Sequence, residues 1–358
     1  MTAPAALATG AAAGNGSPVL VPVLPNHRFD EAALERYLAG HLPGFAGPCA
    51  VRQFQGGQSN PTFHLDAASG QYVLRKKPPG VLLPSAHAVD REYRILGALR
   101  DSGVPVPTVH LLCTDEGVIG TMFFVMDYQP GRVFPDRTLP GVSPADRAAI
   151  YDDMGRVLAL LHGVDWRRAG LEGFGRPENY IGRQIDRWSK QYAGAQVGEE
   201  PAMDRLMAWL KAHAPVPDET TIAHGDYRLG NLIVHPDEPR VAAVLDWELA
   251  TLGHPLADLA YSCLAWRLPP ELQGIQGLDV PGLPTEDEYV QAYCRRTGRA
   301  GVPDLEFFVA FSLFRWAAIA AGVYRRALDG TAADARGREA GEKFRVLAEY
   351  GWRVARGA

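Results

Sequence analysis

His224-Gly225-Asp226-Tyr227-Arg228-Leu229-Gly230-Asn231, followed after an apolar interval by Leu245-Asp246-Trp247-Glu248, is the stretch that decides the reading of this chain. It sets an Asp, an Asn five positions later, and a second Asp beyond a strand-like segment. Two apolar runs, Leu232-Ile233-Val234 and Val241-Ala242-Ala243-Val244-Leu245, flank the turn-forming His235-Pro236-Asp237-Glu238-Pro239. That spells loop, strand, tight connection, strand and loop. Such a hairpin returns Asn231 and Asp246 to the same end, where two oxygen ligands can meet one small hard cation. Mg2+ takes oxygen ligands and usually completes its shell with water and substrate phosphates. Asp226 is left to face a substrate hydroxyl, and the whole set suits phosphoryl transfer.

The chain has 358 residues, enough for two or three lobes with ample core. Its 47% hydrophobic and 22% charged content is that of an ordinary globular enzyme. A net charge of -5 argues against an extended nucleic-acid surface, which wants a basic face. Cys49, Cys113, Cys263 and Cys294 are widely spaced and form no C-x-x-C pair, so they read as reduced packing residues. The Ala-, Gly- and Pro-rich start lacks the basic region of a signal peptide, and residues 1–27 read as a flexible tail. The longest apolar stretch, 307–323, contains Arg315 and reads as a buried helix rather than a membrane span. A cytoplasmic protein with neither nucleic-acid nor membrane partners is the expectation.

Along the chain, a helix over 30–39 capped by Asp30 precedes strands over 50–54, 62–66 and 72–76. A helix from Ser85 to about Arg100 follows. A hairpin turning at Asp115-Glu116-Gly117 then leads into a strand over 121–126. After Gln129-Pro130-Gly131 the texture becomes helical. Ser143-Pro144 opens the first of these helices, and others are expected over 177–193, 202–213, 256–266, 286–296, 305–328 and 333–350. The expected class is α+β: a five-stranded antiparallel lobe with one helix over 28–128, then a larger, mainly helical lobe over 129–358.

Phosphoryl transfer also needs a phosphate cradle and a cation. Gly56-Gly57-Gln58-Ser59-Asn60 joins two strands, and its glycines let backbone N–H groups approach phosphate oxygens while Ser59 adds a hydroxyl. It is neither G-x-G-x-x-G nor a P-loop. On the third strand Arg75 and Lys76 point to opposite faces, and the pattern of their neighbours does not decide which points inward. Glu92, on the next helix, could clamp that cation. A surface i,i+4 role for Glu92 is the competing reading.

At these residues the chain resembles the aminoglycoside phosphotransferase and choline kinase group, with its protein-kinase-like two-lobed fold. The likeness extends through Gly56–Asn60, Tyr72-Val73-Leu74-Arg75-Lys76-Lys77-Pro78-Pro79-Gly80, the stretch from Ser85 to Glu92, and Phe123-Phe124-Val125-Met126-Asp127-Tyr128. The branch it most resembles is the kinase-like domains fused to acyl-CoA dehydrogenases. The resemblance implies ATP and Mg2+ as cofactors and a hydroxylated small molecule as acceptor. By position it implies that Asp226 accepts the attacking hydroxyl's proton, that Arg228 lies near the γ-phosphate, and that Asn231 and Asp246 hold the metal. It gives Arg75, paired with Glu92, the phosphate-binding role of the kinase strand Lys. It makes Asp127, Tyr128 and Gln129 the backbone that holds adenine, with Met126 behind it. Two departures stand out. Trp247-Glu248 replaces Phe-Gly after the metal Asp, and the span from Asp246 to Pro255 is too short for an activation loop. A phosphorylation-regulated protein kinase is therefore not expected. Asp258, which follows at the start of the next helix, either ties the catalytic loop or complements the helix dipole.

The acceptor is less legible. Glu271, Asp279, Glu286, Asp287 and Glu288 could line a cleft for a polycationic aminoglycoside, or could simply be loop and helix-start charges. Phe314-Arg315-Trp316 and Tyr324-Arg325-Arg326 fit a core helix with a basic outer face, but an inward Arg315 would suit an anionic acceptor such as a CoA thioester. A hydroxyacyl-CoA-type acceptor is the expectation, with an aminoglycoside O-phosphotransferase and a nucleotide-binding pseudokinase scaffold as alternatives.

Overall fold

The computed structural model describes residues 18–55, 60–78, 88–215, 219–330 and 337–357. These residues fall into two compact units. The first comprises the chain up to Leu160 with Leu229–Ala250 and Pro281–Leu283. The second comprises Leu161–Arg228, Thr251–Val280 and the chain from Pro284 onward. This division differs from the 28–128 and 129–358 split read from sequence, because residues 129–160 and the hairpin after Arg228 both group with the N-terminal half.

In the first unit, β1 (Leu20–Val21), α1 (Glu31–His41), β2 (Cys49–Phe54), β3 (Thr62–Ala67) and β4 (Gly70–Lys76) are followed by α2 (Val89–Leu99), β5 (Val109–Cys113) and β6 (Phe123–Asp127). The strands form one six-stranded sheet in the order β1-β2-β3-β4-β6-β5, all neighbours antiparallel. Five strands were expected. The sixth, β1, pairs Leu20 with Phe54 and Val21 with Gln53, inside the segment read as a tail. It was invisible because two residues carry no alternation to read.

Asp30 caps α1 as expected, accepting a hydrogen bond from the Ala33 N–H at 2.8 Å. Leu34 and Leu38 of α1 pack with Phe63, Leu65, Leu74, Phe123 and Val125 in the core on one face of the sheet. On α2, Val89, Glu92, Ile95, Leu96 and Leu99 form the buried stripe. Ser85, the expected cap, lies outside the described residues.

α3 (Pro144–His162) belongs to the first unit up to Leu160, and the second unit goes on to α4 (Tyr180–Ala195), α5 (Pro201–Ala212) and the short strand β7 (Thr221–Ala223). Then β8 (Leu232–Val234) and β9 (Val241–Val244) make the anticipated antiparallel hairpin, which belongs to the first unit. Within that unit, Asp153 of α3 accepts a hydrogen bond from the Val241 N–H at 2.7 Å and anchors the hairpin.

The second unit resumes with β10 (Thr251–Gly253), antiparallel to β7. It ends with α6 (Pro255–Arg267), α7 (Glu286–Thr297), α8 (Leu305–Leu328) and α9 (Gly337–Gly357). Of these, α8 is 24 residues long and is apolar enough to cross a membrane by length and composition alone. Its apolar window is 83% buried, packed by α4, α6 and α9.

Candidate active site

The first unit holds the residues expected at phosphate and metal. Leu232 pairs with Val244, and the Leu245 N–H donates to the Asn231 carbonyl at 2.8 Å, so the hairpin brings Asn231 and Asp246 to one end. Asp246 has a φ of 66°, in the left-handed region that few residues other than glycine adopt. Arg75 grips it there, its Nη2 donating to Oδ1 of Asp246 at 2.7 Å. The same guanidinium places Nε 2.9 Å from Oε2 of Glu92. One planar cation thus spans two carboxylates, which a Lys ammonium could not do with fixed geometry.

Burial pushes the Glu92 carboxyl up to about 7, with Arg75 pulling it down and Asp246 pushing it up. The Trp247 backbone N–H also donates to that carboxylate. Burial works against the charge on Arg75 too, yet Glu92, Asp246 and Glu248 together hold its pKa above the ordinary arginine value. Trp247, where protein kinases carry Phe, is buried with its Nε1 donating to the Val244 carbonyl at 3.0 Å.

Arg75, not Lys76, is the cation of β4 that meets Glu92 and Asp246. Lys76 lies on the other face of β4, its ammonium 5.3 Å from the Phe29 ring centroid and 5.7 Å from that of Phe63. Burial lowers its pKa.

Met126 and Asp127 close β6, paired with Val73 and Tyr72 of β4. Met126 is buried. The Asp127 carboxylate lies 2.6 Å from Nε2 of His110. Tyr128 donates its backbone N–H to Gln71, and its ring sits beside Phe54 and His64. Gln129 follows, half-buried. Of the phosphate cradle only Asn60 is described. It is buried, and its carbonyl accepts from the Thr62 hydroxyl at 3.0 Å. Gly56, Gly57 and Ser59 lie outside the described residues.

The second unit holds the expected base. His224, Asp226 and Arg228 are all buried, and Arg228 Nε lies 3.3 Å from Oδ2 of Asp226. Asp258, near the start of α6, answers the alternative left open by sequence. Its Oδ2 accepts the His224 N–H at 2.5 Å and its Oδ1 accepts the Gly225 N–H at 2.8 Å. It ties the loop. Burial would raise its pKa, but His162, His224 and the Gly225 N–H win and hold it below the ordinary value.

Tyr261, one helical turn beyond Asp258, lies beside the Asp226 carboxylate. Burial first, then Asp226, raises its pKa. Sequence reasoning passed it over, although its i,i+3 spacing from Asp258 was the available signal. The acidic residues considered for a polycation are engaged elsewhere or exposed. Glu286 pairs with Arg267 at 2.6 Å, Glu288 completes the α7 capping box, and Glu271, Asp279 and Asp287 are exposed.

A small antiparallel sheet crossed by one helix, then a loop–hairpin bearing Asp, Asn and Asp, defines the protein-kinase-like fold. Comparison with known proteins narrows that class. The chain belongs to the phosphotransferase enzyme family, whose model matches residues 50–308. It is 48% identical over 346 residues to acyl-CoA dehydrogenase family member 10 of Mus musculus, covering 95% of this chain and 32% of that protein. Against acyl-CoA dehydrogenase family member 11 of Homo sapiens it is 46% identical over 324 residues, covering 88% of this chain and 42% of that protein. The chain thus spans less than half the length of these relatives, as the resemblance to a fused kinase-like domain implied. A crystal structure of a Ralstonia eutropha protein classed with the aminoglycoside phosphotransferases superposes with TM-score 0.85 at 49% identity, covering 92% of this chain and 99% of that one. Spectinomycin phosphotransferase in complex with ADP and spectinomycin shares the fold at TM-score 0.60 and 15% identity, covering 91% of this chain and 98% of that one.

Proposed function

We propose that this chain moves the γ-phosphoryl group of ATP to the hydroxyl of a small molecule, using Mg2+. The observation that carries the proposal is the Glu92–Arg75–Asp246 bridge beside Asn231, which gathers a cation and two oxygen ligands at one end of the hairpin. Among the described residues no group of three or more His, Cys, Asp or Glu could hold a metal alone. Asn231 and Asp246 therefore offer a partial oxygen shell, the kind Mg2+ completes with phosphate and water. When bound, Mg2+ would neutralise charge building on the phosphate oxygens.

The chain's own residues do the rest. Asp226 orients the acceptor hydroxyl and takes its proton as the new P–O bond forms and the β,γ-bridging P–O bond breaks, with ADP leaving. Arg228 faces the transferred phosphoryl group. Arg75 neutralises the remaining phosphates, and the backbone at Asp127–Gln129 holds the base against Met126. Gly56, Gly57, Ser59 and Asn60 are the residues this reading assigns to phosphate binding.

For the acceptor we favour a hydroxyacyl-CoA-type molecule, because the curated relatives are acyl-CoA dehydrogenase family proteins. Arg315 adds no support for an anionic acceptor. It points inward, but its guanidinium is bonded to the Gly225 carbonyl. An aminoglycoside acceptor is the second reading, favoured by the class of the Ralstonia eutropha structure. Against it, Glu286 and Glu288 are already held by Arg267 and by the α7 cap. A Mg-ATP consumption screen over hydroxyacyl-CoAs, aminoglycosides, amino alcohols and sugars tests the proposal. Turnover on a hydroxyacyl-CoA is expected. Turnover on kanamycin-like compounds alone would overturn the acceptor, and nucleotide binding without turnover on any hydroxyl would favour a pseudokinase scaffold.

A further inference from the structure

The turn that carries Asp226 passes through Gly225, whose φ of +84° needs glycine and whose peptide planes no side chain stiffens. Each peptide group is rigid in itself, so the turn is soft only in how those planes rotate. The second unit grips both planes from outside. The His224–Gly225 plane is held through the Gly225 N–H by Asp258. The Gly225–Asp226 plane is held twice. Its N–H donates to Nδ1 of His224 at 3.2 Å, and its carbonyl accepts from Nη2 of Arg315 at 2.5 Å.

Arg315 comes from the middle of α8, more than nine-tenths buried, and its hydrogen-bond partner is a carbonyl rather than a carboxylate. Burying a guanidinium costs free energy. Two aromatic faces offset part of that cost, since the guanidinium carbon sits 5.7 Å from the ring centroids of both Trp188 and Tyr261. Tyr261 in turn lies beside the Asp226 carboxylate, near enough for the two to interact electrostatically. Backbone and carboxylate of Asp226 are thus reached from one stack: Trp188, Arg315, Tyr261.

We infer that Arg315 and Tyr261 are positioning residues for Asp226, Arg315 locking the peptide plane before it and Tyr261 locking its carboxylate. The inference rests on the proposed phosphotransferase reading for its consequence in turnover, but the clamp itself can be measured without any acceptor. A planar guanidinium donates from its edge to the carbonyl while its faces stay free for the two rings; a Lys ammonium, a compact point charge, cannot hold both in one fixed geometry. A base misplaced by about 1 Å can cost on the order of 100-fold in rate.

The test compares the full chain with Arg315→Lys and Tyr261→Phe, the latter nearly isosteric and chosen to fold even where the former does not. Hydrogen exchange is followed in a peptide spanning residues 223–227, and kcat and the KM for Mg-ATP are measured on whichever acceptor the screen yields. We expect faster exchange in Arg315→Lys, and kcat lowered roughly 10- to 100-fold in both variants with the KM for Mg-ATP unchanged. Unchanged exchange in Arg315→Lys overturns the clamp, and so does unchanged kcat in both variants even if exchange rises. An inactive wild-type chain would instead count against the phosphotransferase reading, leaving exchange alone to decide the clamp.

Discussion

Replacing Asp258 by Asn should loosen the catalytic loop. The carboxylate uses one oxygen for the His224 N–H and the other for the Gly225 N–H, and it is itself almost fully buried. An Asn amide offers one oxygen and turns an NH2 toward the second N–H, so one charge-assisted bond is lost and a buried donor is stranded. A hydrogen bond to a charged group contributes about 1.5–3 kcal/mol, and a stranded buried donor costs about 1–3 kcal/mol. Together they put the loss at about 2.5–6 kcal/mol, a range that brackets the roughly 3–5 kcal/mol for breaking a buried charge interaction. Urea unfolding measures this directly. Amide exchange at Gly225 should accelerate roughly 100-fold or more, since every 1.4 kcal/mol is about tenfold. The loss should also depend on pH. The folded pKa of Asp258 lies below its ordinary 3.8, so its contribution is complete above 3.8 and vanishes as pH falls through the lower folded value. Wild type and D258N should therefore converge in acid. A loss under about 1 kcal/mol at pH 7, with unchanged exchange at Gly225, would refute the reasoning.

Other outcomes follow from the first unit. Arg75→Lys can keep Glu92 or Asp246 but not both, and should destabilise that unit by about 1.5–3 kcal/mol in urea melts; a loss under about 0.5 kcal/mol would contradict the bridge. Lys76→Met, one position along, should be neutral or stabilising at pH 7. The lowered pKa of Lys76 is a burial penalty that is relieved as pH rises from the lowered folded value to 10.5, so wild-type stability should gain on the variant in alkali. Glu92→Gln should abolish a slope of opposite sign. With its pKa raised from 4.5 to about 7, Glu92 contributes fully below 4.5 and loses that contribution as pH rises through about 7, which melts between pH 4.5 and 8 will register.

The hairpin was legible because polar ligands bracket two apolar runs separated by a proline-rich turn, a pattern with few other uses. Asp258 was legible because an acidic residue in the first turn of a helix has only a few jobs. The face of β4 was not. Val73 and Leu74 are both buried, so covering the sheet on both sides erases the alternation that would have separated Arg75 from Lys76. Arg315 could be suspected of pointing inward, but its partner is a backbone carbonyl, and carbonyls leave no mark in a sequence. Tyr261 meets Asp226 from 35 residues away, a contact only tertiary packing creates.

The claim at the centre of this account is that Asp226 serves phosphoryl transfer from a Mg-nucleotide to a hydroxyl. It is tested most directly by comparing wild type with Asp226→Asn for both Mg-ATP binding and transfer of labelled γ-phosphate to the best acceptor. The account expects nucleotide binding to survive and transfer to fall by roughly 100-fold or more, as loss of a positioned proton acceptor implies. Transfer at the wild-type rate in D226N would contradict it.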